Sequence, residues 1–157
     1  METRVMFLMI IGTLSAVLVV YFIPKRVSRI ELYSTALFAS LFGTLSDLFL
    51  DVKYDWYGYF KKGVDWAALP SLILFYPALC MTFINFYPYN QSLMNKIIYL
   101  IGFSILSVIL EYIAIQTELF YHNEWKLIYS AICYPFVYMI LLLNARVSKM
   151  FVNHTPS

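Results

Sequence analysis

Asp47, Asp51 and Asp55 follow one another at four-residue intervals, and Glu111 and Glu118 stand with Ser104, Ser107 and Ala114 at spacings of three and four. On helices, each set lines one face. Asp47 and Glu111 lie within otherwise apolar runs. An ionised side chain in hydrocarbon is costly, so such residues face a bundle interior or a water-filled cavity and mark a candidate site. Carboxylates gathered in this way could hold a proton, a metal ion, another cation or a substrate amine. Asp47, Asp51 and Glu111 are the expected acids of that polar pocket, with Ser107, His122 and Tyr134 as its other candidate members. A structural alternative stays open, in which these acids pair with Lys53, Lys61, Lys62 or tyrosine hydroxyls at the membrane edge.

The elements that must position these residues are long apolar runs. About 20 mostly apolar residues cross the hydrocarbon of a bilayer. Five runs meet that length: 5–23, 32–50, 66–86, 97–115 and 127–143. They fill most of the 157 residues and match a composition that is 62% hydrophobic. The expected fold is therefore an all-α integral membrane bundle of five transmembrane helices, forming one domain over 1–157. The first run is expected to be a retained span rather than a cleaved signal, since its apolar core is too long and no small-x-small site precedes Pro24. Pro70, Pro77 and Pro135 remove backbone donors and can kink the third and fifth spans.

Alternation of five spans puts seven of the nine carboxylates on one side: Asp47, Asp51, Asp55, Asp65, Glu111, Glu118 and Glu124. The other side carries Lys25, Arg26, Arg29, Lys96, Arg146 and Lys149 against Glu31 alone. Basic residues mark the cytoplasmic side of membrane proteins. The expected topology has the N-terminus outside, the C-terminus cytoplasmic and the acidic end facing out. Asn90 and Asn153 each begin an Asn-x-Ser/Thr triplet, but on the cytoplasmic side these are read as chance.

The loop residues Tyr54, Trp56, Tyr57, Tyr59 and Phe60, with Tyr121, Trp125 and Tyr129 of the next outer loop, read as an aromatic belt at headgroup depth. The other reading is an aromatic lid that covers the pocket or meets a cationic group with its ring faces. Ser130, Tyr134 and Tyr138 share a face of the fifth span and could turn hydroxyls to the same interior. Cys80 and Cys133 read as buried free thiols rather than a disulfide or zinc framework. A net charge of +2 and the lack of a basic tract give no sign of nucleic-acid binding. There is no nucleophile–base pair, glycine-rich phosphate loop or His-Glu-x-x-His motif, so no catalytic residue is assigned and the cofactor is unknown.

The Asp47-Asp51-Asp55 run is similar to acidic runs of membrane prenyltransferases, in which carboxylates hold magnesium against a diphosphate. Those enzymes have more spans and a second acidic motif. The stretches from Ser46-Asp47 to Gly58-Tyr59-Phe60 and from Glu124-Trp125 to Tyr134-Pro135 resemble a family of small multi-span membrane proteins from spore-forming Gram-positive bacteria. That resemblance runs from the second span to the end, and it implies a bacterial cytoplasmic membrane location but no activity. The leading expectation is a non-enzymatic binding or transport-related module whose outward acidic pocket takes a cation or cationic group. The alternatives are a small metal-dependent enzyme acting on a lipid or isoprenoid phosphate, and an accessory subunit docked on a membrane-protein partner or on a second copy. The bilayer is the one partner that every reading requires.

Overall fold

A computed structural model describes residues 3–60 and 66–153 of the chain, without the side chains of Thr3, Arg4, Ala67, Val152 and Asn153. Lys61, Lys62 and Asp65, three of the charges expected in the outer loop, lie outside the described residues, as do Glu2 and His154.

Helix α1 runs from Thr3 to Phe22 and ends before Pro24, whose ring cannot continue it. Helix α2, Arg29–Asp47, starts at a capping box: the Ser28 hydroxyl accepts from the Glu31 amide, and the Glu31 carboxylate accepts from the Ser28 amide. It continues as a π-turn over Leu48–Lys53. Helix α3, Tyr76–Phe86, is preceded by a 3₁₀ turn at Trp66–Ala68 and a π-turn at Ser71–Phe75. Helix α4, Leu93–Gln116, is capped by the Ser92 hydroxyl, which accepts from the Asn95 amide. Helix α5 spans Leu127–Asn153 and contains Pro135.

Four helical stretches are long and apolar enough to cross a membrane: Val5–Phe22, Arg29–Lys53, Leu93–Gln116 and Leu127–Phe151. Their outward faces are apolar, with Phe7, Leu14, Ile105, Ile109, Ile132, Phe136 and Leu143 all exposed. Exposed apolar surface on this scale suits lipid rather than water.

The third expected span is helical from 66 to 86, but its winding changes along the way. Over 66–86 the chain is not one regular helix. Pro70 and Pro77 lack the amides a helix would need there, and the Tyr76 amide donates to Ser71 O, five residues back. Its continuous part, Ser71–Phe86, is shorter than the other four. At about 1.5 Å per residue it reaches only ~24 Å, less than the hydrocarbon thickness.

The chain is mostly helical, as expected, with one short strand pair added. Tyr57–Tyr59 forms strand β1 and Phe120–His122 forms strand β2, paired antiparallel with Tyr57 opposite His122, Gly58 opposite Tyr121 and Tyr59 opposite Phe120. The aromatic residues favour strand geometry. Asp55, Phe60 and Glu118, all at positive φ, turn the chain into and out of the pair. Trp56 O adds two bonds, accepting from the Asn123 amide at 2.9 Å and the Trp125 amide at 3.0 Å. The two loops are thus clasped together at one end of the bundle.

Asn85 closes the opposite end. It is 1% exposed, donates to Pro24 O at 2.9 Å and accepts from the Arg26 amide at 2.8 Å, fixing the α1–α2 turn onto the foot of α3. The core lies between these ends, where α2, α3 and α5 meet around Ala39, Cys80, Phe83, Tyr138 and Leu141. Helix α4 packs against α5, and its Tyr99 and Phe103 rings reach Phe83 of this core. Cys80 is buried as expected, whereas Cys133 is exposed on the outer face of α5.

Candidate functional site

The small-residue stripe of α2 turns inward. Ala39 is 1% exposed, and Gly43 lies against the Tyr76 ring of α3, where an added Cβ would sit 3.2 Å from Tyr76 Cε1. One turn further on, Asp47 Oδ1 accepts from the Tyr57 hydroxyl of β1 at 2.9 Å. The Tyr59 hydroxyl also interacts with this carboxylate, while Oδ2 is buried and takes no hydrogen bond among the described residues. Asp51 lies in the π-turn and is 7% exposed; its Oδ1 is likewise buried without a partner. Asp55 leaves the stripe, because the chain turns at its positive φ. It accepts instead from the Tyr121 hydroxyl at 3.2 Å, and its backbone carbonyl accepts from Asn123 Nδ2 at 3.0 Å.

Glu111 of α4 is surrounded by donors. Its Oε1 meets His122 Nε2 of β2 at 2.8 Å and the Ser130 hydroxyl of α5 at 2.6 Å, and its Oε2 accepts from the Tyr134 hydroxyl at 2.6 Å. Ser130 itself accepts from the Trp125 indole at 2.7 Å, so a relay runs from Trp125 through Ser130 to the carboxylate. Ser130 and Tyr134, four residues apart, share a face of α5. Only 8% of the Glu111 side chain and 13% of the His122 side chain are exposed. Three hydrogen bonds thus satisfy both oxygens of this buried side chain.

The structure therefore gathers Glu111, His122 and Tyr134 at direct hydrogen-bond distance and places Asp47 and Asp51 in a neighbouring group. Ser107 belongs to neither. It bonds the Tyr138 hydroxyl at 2.6 Å and Phe103 O at 3.1 Å, one turn deeper along α4 than Glu111. The expected meeting of the second and fourth helices takes a different form, since α5 packs against both of them. Tyr59 links the two groups of acids. Burial raises its phenol pKa well above the ordinary value, and the charges of Asp47, Asp51 and Glu111 push it further the same way. Tyr57 is raised similarly, by burial first and then by Asp47. Both phenols stay protonated at neutral pH, so they can only donate toward the acids.

Three partners went unassigned in the sequence: Tyr57 on Asp47, Tyr121 on Asp55 and Trp125 on Ser130. The Tyr57-Gly58-Tyr59 alternation carried a signal, because residues i and i+2 of a strand point to one face. Gly58 permits the arrangement: the Tyr121 hydroxyl crosses it so closely that an added Cβ would lie 2.6 Å away.

Among the described residues, no three His, Cys, Asp or Glu side chains converge to hold a metal ion. The arrangement can hold a proton or a single positive group beside Asp47 and Asp51, and it fixes Glu111 by hydrogen bonds to His122, Ser130 and Tyr134. No family model matches the chain, and comparisons with curated proteins and with solved structures likewise find no match.

Proposed function

We propose that this chain is a multi-pass integral membrane protein of the bacterial cytoplasmic membrane, working as a binding or transport-related module for a cation or cationic group. In this reading the N-terminus and the clasped acidic end face outward and the C-terminus is cytoplasmic. The carrying observation is the pair of buried carboxylate oxygens, Asp47 Oδ2 at the end of α2 and Asp51 Oδ1 in the π-turn that follows, which take no hydrogen bond among the described residues. A buried acceptor without a partner costs about 1–3 kcal/mol, and more when charged, a cost that a bound cation or proton removes. Glu111, by contrast, is already satisfied by His122, Ser130 and Tyr134. It anchors the outer loops, and Asp47 and Asp51 bind. The β1–β2 clasp forms the cover, with Tyr59 lying among the acids.

Titration calorimetry of the detergent-purified protein with sodium, calcium and methylammonium chlorides tests this reading. Saturable binding of one of them is expected, lost in Asp51→Asn and Asp47→Asn but retained in Lys149→Gln. Absence of saturable binding in the wild type, or equal binding by all four proteins, would overturn it.

A further inference from the structure

A shallow groove lies at the end of the bundle opposite the acids, lined by Phe86, Pro88, Gln91, Asn95, Ile98 and Tyr99. Its walls are of two kinds. Asn95 Nδ2 donates to Gln91 Oε1 at 2.8 Å, which leaves the Gln91 amide nitrogen to donate outward. Phe86, Ile98 and Tyr99 provide apolar surface that continues along α4, where Ile98, Ile101 and Ile105 are all exposed.

Arg26 stands at the rim. Its guanidinium lies over the Phe86 ring, 5.0 Å from the centroid, and its charge acts on the Tyr99 phenol. The bond from the Arg26 amide to Asn85 Oδ1 fixes the backbone that carries it. Among the described residues no carboxylate pairs with this guanidinium. The one acid of this end, Glu31, is 8% exposed and already accepts from the Ser28 amide at 2.8 Å. Lys25, Arg29, Lys96, Arg146 and Lys149 add to the positive surplus.

We propose that this groove binds the phosphate headgroup of an anionic phospholipid, with Arg26 on the phosphate, the Gln91 amide donating beside it and an acyl chain along Ile98 and Tyr99. The inference rests on the membrane reading above. A planar, unpaired guanidinium matches phosphate oxygens, and basic pockets at the cytoplasmic ends of transmembrane helices hold acidic headgroups. Free phosphate would leave the apolar wall unused.

Native mass spectrometry of the full chain, released from micelles holding equal phosphatidylglycerol and phosphatidylcholine of the same acyl chains, provides the test. Preferential retention of one phosphatidylglycerol is expected. Arg26→Gln should lower that preference about fivefold, as expected for one basic contact at a lipid surface, and Lys149→Gln should leave it unchanged. Gln91→Leu, at an exposed position, should lower it as well. No preference in the wild type, or equal loss in Arg26→Gln and Lys149→Gln, would overturn the proposal. Displacement of the lipid by excess inorganic phosphate would also overturn it, as the mark of a free-phosphate site. Membranes are extracted with alkaline carbonate in parallel. Release of the wild type there would contradict the membrane reading itself, a failure distinct from loss of lipid preference in a protein that stays embedded.

Discussion

The imidazole Nε2 of His122 lies 2.8 Å from Glu111 Oε1, joining strand β2 to the fourth helix across eleven residues of sequence. The Ser130 and Tyr134 hydroxyls bring α5 to the same carboxylate. One side chain thereby ties α4, α5 and the clasp together. A double-mutant cycle of Glu111→Gln and His122→Ala, followed by chemical denaturation in micelles, should give a coupling energy between about 0.5 and 3 kcal/mol. Additive effects would mean that the two groups do not act as a pair.

Gly58 is the tightest point of the clasp. Gly58→Ala would place a methyl carbon 2.6 Å from the Tyr121 hydroxyl, so the phenol must leave Asp55. Hydrogen exchange at the Asn123 and Trp125 amides, both bonded to Trp56 O, should accelerate while exchange in the core around Phe83 stays slow. Unchanged protection at those two amides would show that the clasp does not depend on this contact.

Helix α4 ends in a Schellman turn. The Leu119 amide donates to Ala114 O at 3.0 Å and the Glu118 amide to Ile115 O at 3.2 Å, with Glu118 at φ 61 where glycine is the usual residue. Glu118→Gly should stabilise the protein by about 1 kcal/mol, since a left-handed conformation costs a non-glycine residue roughly 1–2 kcal/mol. A loss of stability in the denaturation midpoint would show that the exposed Glu118 carboxylate has a favourable role of its own.

Tyr121 carries a pH dependence. Burial, reinforced by the hydrogen bond to Asp55, pushes its phenol from the ordinary 10.0 up to about 12. The neutral form is favoured in the fold, so the stabilisation is complete below pH 10.0 and fades as the pH rises toward about 12. Phenolate absorbance should show a tyrosine titrating at about 12 that Tyr121→Phe removes, while the still later titration of Tyr57 and Tyr59 remains. Titration of all outer-loop tyrosines together near the ordinary value would contradict this.

Run length and charge alternation were enough to recognise four apolar spans. They also placed Asp47 and Glu111 toward the same end. The irregular winding of the third stretch was not legible, because hydropathy does not register the amides missing at Pro70 and Pro77. The clasp was invisible for a different reason. Strands of three residues have no period to detect, and their pairing joins Tyr57 to His122 across 65 residues. The same gap hid the tyrosine donors. Their types and spacing suit a headgroup belt equally well, and only the clasp turns Tyr57 toward Asp47. Ser130 and Tyr134 were legible as one face of α5, but their shared acceptor, Glu111, depends on how α4 packs against that face.

In the proposed mode Asp47 and Asp51 are open to a positive group while Glu111 is closed by its own donors. Reaction of the membrane-embedded protein with a hydrophobic carbodiimide, mapped by peptide mass spectrometry, tests it most directly. Modification should fall on Asp47 or Asp51, spare Glu111, and be suppressed by the cation that binds in calorimetry. Preferential modification of Glu111, or modification of Asp47 and Asp51 that no cation suppresses, would contradict the account.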